Sequence, residues 1–354
     1  MANDLPQRVA VIGTSAVGSL MAARLANAGV PVVLIARPAQ VRAVRTQGLR
    51  FQQPWRRQLV LRSLRAAAGW GELGEEEIAA IELAVLTSRV HDTQAAVASL
   101  AAVLAPAVPL VVLQAGVGGV EIARAQAGQR PLLAAVATLA ASQPRPGVVR
   151  CLSYRGGLGL APVQAPEQVA SRVQRLFASS GLATRVYPDY RAMAWSNLLL
   201  NMLGNAVPAI VDRAPARVFR DLALCRLELA AFREALAVMR ALGIAPVALP
   251  GYPVPALALA LGRLPVPILH RLLPRLAGSG RTGRQVSLRA DLERRRGPSE
   301  VEYLNGAVVR AGRELGVPVP ANALIHRTLT AMMQGTIPRL AYADNPHGLL
   351  APLR

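Results

Sequence analysis

Three groups of residues have types and spacings suited to chemistry. The first is Gly13-Thr14-Ser15-Ala16-Val17-Gly18, which follows the apolar run 8–12 and precedes a small-residue apolar stretch, 19–28. Strand, glycine-rich turn and helix in that order form the setting in which G-x-G-x-x-G holds a dinucleotide. The first glycine makes the turn, the second lets the backbone approach the pyrophosphate, and the third lets helix and strand pack closely. Here the first and third are present and the second is Ser15. A Cβ at that place pushes a pyrophosphate away or makes the loop adjust, while the helix N-terminus still offers N–H groups to an anion. A bare strand-turn-helix without ligand is the competing reading. The second group is Arg37, with Arg42 and Arg45 behind it, at the end of the apolar run 32–36. An acidic residue there would hold the ribose 2′-OH of NAD, whereas arginine pairs with a 2′-phosphate, so the cofactor expected is NADP(H). Chance is the alternative, because every basic residue of this chain is arginine. The third group is Asn197, Asn201 and Asn205. Their i, i+4, i+8 spacing stacks three amides on one face of a helix expected over 191–206. Asn disfavours helix interiors, and Leu198, Leu199, Leu200 and Leu203 beside it carry no charge. The stripe therefore reads as facing a cleft, with a solvated face or a structural hydrogen-bond ladder as the rival.

The elements needed to position these groups are legible. The runs 8–12 and 32–36 flank the first helix as one βαβ unit, and further strands are expected at 83–87, 110–113 and 133–138. Continuous apolar strands imply a parallel sheet covered on both faces. The Gly- and Pro-rich segment 144–162 reads as antiparallel edge structure. After about Tyr190 the period becomes helical over 191–206, 218–242, 302–315 and 323–334. The segment 249–280 is apolar and punctuated by prolines, and reads as a helical cap or a subunit contact; a homodimer is one expectation. Ser299 and Glu302 have the spacing of a helix capping box. The fold expected is an α/β N-terminal Rossmann-type domain, 1–188, followed by an all-α C-terminal domain, 189–354.

Composition narrows the functions. The chain has 354 residues, is 53% hydrophobic, and carries a formal net charge of +20. The length suits two cores. The arginines are scattered, with one tight run at Arg294-Arg295-Arg296, and no basic stripe interleaved with aromatics appears, so nucleic-acid binding rests on net charge alone. Lysine is absent, which excludes Schiff-base chemistry and a lysine general acid. Cys151 and Cys225 are isolated, arguing against a disulfide framework or a structural zinc and for a reducing, cytoplasmic setting. The polar start has no signal-peptide character. The uncharged stretch 95–120 is broken by Pro106, Pro109 and a cluster of glycines, and reads as helix, turn and buried strand rather than a membrane span.

Taken together these residues resemble the ketopantoate reductase (2-dehydropantoate 2-reductase) family. The likeness is carried by the N-terminal turn, Arg89-Val-His-Asp-Thr93, Leu113-Gln-Ala-Gly-Val117, Trp195 to Asn205, and Ser287 to Gly306, in the family's order. The resemblance implies NADPH-dependent reduction of a 2-keto acid in pantothenate biosynthesis, with a C-terminal domain like that of 6-phosphogluconate dehydrogenase. It implies that Asn201, Asn205 and Ser287 bind substrate polar groups, that Glu300 holds the substrate hydroxyl, and that Arg89 and Arg37 lie on the cofactor. Three departures stand out. The family's catalytic lysine is Asn197, its substrate- and cofactor-touching asparagine is Ala115, and its central turn glycine is Ser15. One residue is also added between Asp291 and Glu300. Asn197 would donate a hydrogen bond to a forming alkoxide without giving a proton. The expected function is thus a 2-keto acid reductase with altered substrate or low activity; the alternative is a non-catalytic NADP-binding or interaction protein on the same fold.

Overall fold

The computed structural model describes residues 6, 8–13, 15–54, 57–153, 155–278, 287–294 and 299–353. They form two compact units. The first runs through Gln114, with Gly118–Met193 and Leu249–Tyr252; the second comprises Ala115–Val117, Ala194–Ala248 and the chain from Pro253 on.

In the first unit the chain runs β1 (Arg8–Ile12), α1 (Ala16–Asn27), β2 (Val32–Ile35), α2 (Pro38–Gln47), β3 (Leu49–Gln52), β4 (Leu59–Leu61), β5 (Arg65–Ala67), α3 (Glu75–Ala79) and β6 (Ile81–Leu86). It continues through α4 (Thr93–Ala101), β7 (Leu110–Leu113), α5 (Gly119–Ala127), β8 (Leu132–Ala137), β9 (Ala141–Arg145), β10 (Val148–Cys151), β11 (Leu158–Pro162), α6 (Glu167–Ser179) and β12 (Thr184–Val186). The large sheet has the order β12-β11-β8-β7-β6-β1-β2-β5. Its strands are parallel except that β11 runs antiparallel to β8. Side chains alternate across it: Val9 and Val11 join one apolar cluster with Leu20, Met21 and Leu34, while Ala10 and Ile12 join another with Leu86, Leu100 and Val112. Burial on both faces is why these strands read as unbroken apolar runs. The strand order reverses between β1 and β6, and open α/β sheets bind ligands at the carboxyl ends of strands at such a point.

Three expectations need correction here. The first helix begins at Ala16 rather than Ser19, so Gly18 lies inside it. The segment expected as edge structure divides, with the β9–β10 hairpin in a separate sheet of order β4-β3-β10-β9 and β11 in the large one. The short strands β3, β4, β5 and β12 were not anticipated. The stretch 95–120 is accounted for by α4, β7 and the start of α5, and among the described residues no helix is long and apolar enough to cross a membrane.

The second unit is helical: most of α7 (Tyr190–Met202), then α8 (Ala206–Ile210), α9 (Pro215–Arg220), α10 (Leu222–Ala241), α11 (Val254–Arg263), α12 (Val266–Gly278), α13 (Ser287–Arg294), α14 (Asn305–Glu314) and α15 (Pro320–Gln334). The expected helix 191–206 ends at Met202 because Gly204 adopts a φ of 67°. The expected helix 218–242 is two, broken at Asp221, whose Oδ1 accepts from Ala223 N at 3.0 Å and Leu224 N at 3.2 Å and so caps α10. Within the segment 249–280 the described residues include α11 and α12, with Pro255 and Pro267 in their first turns and Pro274 inside α12; Ile268, Leu272 and Leu276 stay exposed along α12. The arginine run 294–296 lies largely outside the described residues.

Candidate functional site

The nucleotide turn is built by contact with Thr87 and Ser88, which follow β6. Gly13 has φ 129°, and a Cβ there would sit 2.7 Å from Ser88 N. A Cβ on Gly18 would lie 2.1 Å from Thr87 Oγ1, which is itself held by the Ile12 carbonyl at 3.0 Å. Neither position has room for a Cβ; Gly13 also has the positive φ of a turn glycine, while at Gly18 close packing is the role described for the third glycine. Ser15 serves as the N-cap of α1, its Oγ accepting the Gly18 N–H at 2.9 Å. The N–H groups of Ala16 and Val17 lie in the first turn, where a helix supplies no acceptor. Thr14 is outside the described residues. Ser15 thus does more than crowd an approaching phosphate: it occupies one of the donors that a phosphate would use.

Around this turn the carboxyl ends of β6 and β7 present buried polar atoms without a hydrogen-bond partner among the described residues: Ser88 Oγ, His91 Nδ1 and Gln114 Oε1. The Gln114 amide nitrogen is fixed by Ser88 O at 3.0 Å and Thr93 Oγ1 at 2.7 Å. Orphaned polar atoms in such a crevice suit a polar ligand. Arg37 follows β2 as the N-cap of α2 and is exposed, and its guanidinium has no hydrogen bond or ion pair among the described residues. Arg45, by contrast, is committed to Glu72 and, at 3.0 Å, to the Ala66 carbonyl. Arg89 is half-buried at the start of the turn Val90–Asp92.

Ala115 clusters with the second unit: the next residues meet Tyr303, with Val117 N donating to its carbonyl at 2.9 Å. In that unit the three asparagines do not share one helix. Asn197 and Asn201 lie on α7 and Asn205 follows the Gly204 turn, with φ −121°. The amide nitrogens nevertheless form a ladder, Asn201 Nδ2 donating to Asn197 O at 2.7 Å and Asn205 Nδ2 to Asn201 O at 3.0 Å. The competing reading of a structural ladder thus describes these two donors, leaving the side-chain oxygens for other partners. Asn197 is 1% exposed, and its Oδ1 has no partner among the described residues. Asn205 Oδ1 accepts from Leu288 N at 3.4 Å, which ties it to α13, the helix that begins at Ser287. From α13, Asp291 Oδ2 accepts from Glu300 N at 3.3 Å. One hydrogen-bonded path therefore links Asn201, Asn205, α13 and the backbone of Glu300. The added residue expected between Asp291 and Glu300 falls in a stretch that lies partly outside the described residues.

The capping box is half correct. Ser299 accepts from Val301 N at 3.3 Å and starts a single 3-10 turn, Glu300–Tyr303. The Glu302 carboxylate turns instead to Arg310 and to His326 Nε2, the latter at 2.6 Å. Thr87 and Glu228 were missed as shaping residues. The absence of room for a Cβ at Gly18 points to Thr87 once β6 is placed, but nothing local in sequence connects Glu228 to Gly204, whose N–H donates to Glu228 Oε2 at 2.9 Å.

These features define a class: a dinucleotide-type α/β unit whose parallel strands run in the order β5-β2-β1-β6-β7-β8, joined to a helical unit that groups asparagines with a late acidic segment. Two family descriptions match the chain, Ketopantoate reductase PanE/ApbA over residues 9–163 and its C-terminal counterpart over residues 189–333. A 2-dehydropantoate 2-reductase of Caulobacter vibrioides is 30% identical over 327 residues, covering 91% of this chain and 98% of that protein. The structure of a PanE/ApbA family ketopantoate reductase from Ralstonia eutropha superposes with a TM-score of 0.75 at 28% identity, covering 93% of this chain and 99% of that one. A D-mandelate dehydrogenase solved with NADH and anilino(oxo)acetate shares the fold, with a TM-score of 0.76 at 18% identity over 93% of this chain and 98% of that one. The chain belongs to the ketopantoate reductase family.

Proposed function

We propose that this protein is an NADPH-dependent reductase of a 2-keto acid, of the ketopantoate type, with slow turnover on ketopantoate itself. The observation that carries the reading is the hydrogen-bonded path from Asn201 through Asn205 and Leu288 to Asp291 and Glu300, which draws together the segments that resemble the family's substrate site. Gly13, Ala16, Val17 and Gly18 with Ser15 would cradle the pyrophosphate, Arg37 would pair with the 2′-phosphate, and Arg89 and Ala115 would lie along the cofactor. When bound, the nicotinamide supplies the hydride that turns a 2-keto group into a 2-hydroxy group. Asn201, Asn205 and Ser287 would hold the polar groups of the keto acid and Glu300 its hydroxyl. Asn197 steadies the developing oxyanion through an amide but has no proton to give, so water completes the step. Two buried free cysteines accord with a reducing compartment such as the cytoplasm.

Calorimetric titration tests the cofactor assignment: NADPH binds at least about tenfold more tightly than NADH, the size of one charge-assisted contact. Equal binding, or tighter NADH, overturns it. The burial of Asn197 where the family carries lysine favours a second reading, an NADP-binding protein without turnover, which keeps the cofactor preference and reduces no keto acid.

A further inference from the structure

Glu228 is a charged residue type in the interior of α10, 4% exposed, and none of the roles above uses it. Its Oε2 accepts the Gly204 N–H at 2.9 Å, and its Oε1 is buried with no partner among the described residues. Burial pushes this carboxyl up to about 7. Its neighbours on the buried side of α10, Leu224, Leu227, Ala231 and Phe232, are apolar, so packing alone would favour a leucine here. What Glu228 holds is the break in the asparagine series. Gly204, at φ 67°, ends the chain of α7 and turns it into Asn205. Asn205 is then bound on one side to Asn201 O and on the other to Leu288 N.

We infer that Glu228 is a positioning residue: its carboxyl fixes the turn at 203–205 by accepting the Gly204 N–H, and thereby sets the place of the Asn205 amide toward the keto acid. This rests on the keto-acid reading above. Glutamine keeps an acceptor of the same shape, whereas leucine fills the space and leaves the Gly204 N–H buried without an acceptor. The identity of the acceptor, rather than the charge or the volume, is what the turn requires.

The full-length protein carrying Glu228→Gln or Glu228→Leu is compared with wild type in two ways. Amide hydrogen exchange at Gly204 and Asn205 is read without substrate, and keto-acid KM and kcat are read beside the NADPH dissociation constant. Glu228→Leu speeds exchange at 204–205 by about tenfold or more. It also raises KM by about tenfold, with kcat changed far less and NADPH binding unchanged. Glu228→Gln stays near wild type in every reading. Wild-type exchange in Glu228→Leu overturns the inference, as does Glu228→Gln matching the leucine variant, or KM and NADPH affinity worsening together. If Glu228→Leu does not fold, Glu228→Asp, which withdraws the acceptor by one methylene, is read by the same exchange. Absence of turnover in the wild type removes the keto-acid reading, while the exchange result still decides whether Glu228 holds the turn.

Discussion

The turn after β1 and the turn after α7 both carry candidate ligand groups, and they are specified in opposite ways. At Gly13–Gly18 the glycines are needed because Thr87 and Ser88, just beyond the end of β6, leave no room for a Cβ, and that demand is written into the local sequence as two glycines. At Gly204 the nearest atom to an added Cβ, in Phe219, is 3.3 Å away, and the turn is held from a distance by Glu228. The first turn is therefore readable as a pattern and the second is not. Spacing alone extends α7 through Asn205, whereas a buried carboxyl 24 residues further along the chain helps to hold the turn that ends it.

The largest effect expected concerns Asn197. A positioned general acid contributes on the order of 10²–10⁴ in rate. Asn197→Lys, with Ala115→Asn to restore the neighbouring contact, is expected to raise ketopantoate turnover by about 10²-fold or more in a steady-state assay. Because position 197 is buried, desolvation depresses the new amine toward neutrality, which suits proton transfer at pH 7. No gain despite measured binding of NADPH and substrate means that the protein has left ketone reduction.

The next effect is the pH dependence of stability contributed by Glu228. Burial holds its folded pKa at about 7, above the ordinary carboxyl value of 4.5, so the native state binds the proton more tightly than the unfolded state. Stability from this group is full below about pH 4.5 and is lost as pH rises through 7, on the order of 3 kcal/mol in all. Glu228→Gln flattens that part of the profile and raises the unfolding midpoint at pH 8; an unchanged slope between pH 5 and 8 contradicts it. Glu72 and Glu77, whose pKa values are lowered by hydrogen bonds, act in the opposite sense and only at more acid pH.

The two turns themselves are compared by alanine. Gly18→Ala drives a Cβ into Thr87 and costs about 1–3 kcal/mol. Gly204→Ala meets only the edge of the Phe219 ring, 3.3 Å away, which has to give by a few tenths of an ångström, and costs about 1–2 kcal/mol, mostly from φ. Denaturant midpoints that reverse this order break the distinction between a sterically built and a remotely held turn. The smallest effect is at Ser15. Ser15→Gly loses a few tenths of a kcal/mol of capping but frees the Gly18 N–H for phosphate, and NADPH binding tightens by about threefold or more, one modest hydrogen bond. Weaker binding in that variant instead makes the Ser15 hydroxyl a phosphate ligand.

What the sequence made legible follows the same division. β1, β2, β6, β7 and β8 carry apolar runs buried on both faces, interrupted only by Arg8 at the start of β1 and Glu82 in β6, so composition marks them to within a residue or two. The strands β3, β4, β5 and β12 are three or four residues long, and several carry arginine, glutamine or threonine, so no periodicity announces them. Helix ends were misplaced wherever a distant or competing side chain decides them: Glu228 at Gly204, the Asp221 cap between α9 and α10, and Arg310 with His326 drawing Glu302 away from its box. The candidate residues were nameable because they recur at family spacings. Their hydrogen bonds, and the Ser15 contact with Gly18, depend on three-dimensional placement that spacing does not encode.

The most direct test follows NADPH absorbance with the wild-type protein against a panel of 2-keto acids that includes ketopantoate. NADPH is expected to be oxidised in a way that depends on a 2-keto acid, slowly with ketopantoate, with the matching 2-hydroxy acid formed in equal amount. NADPH that binds but is not oxidised with any member of the panel contradicts it.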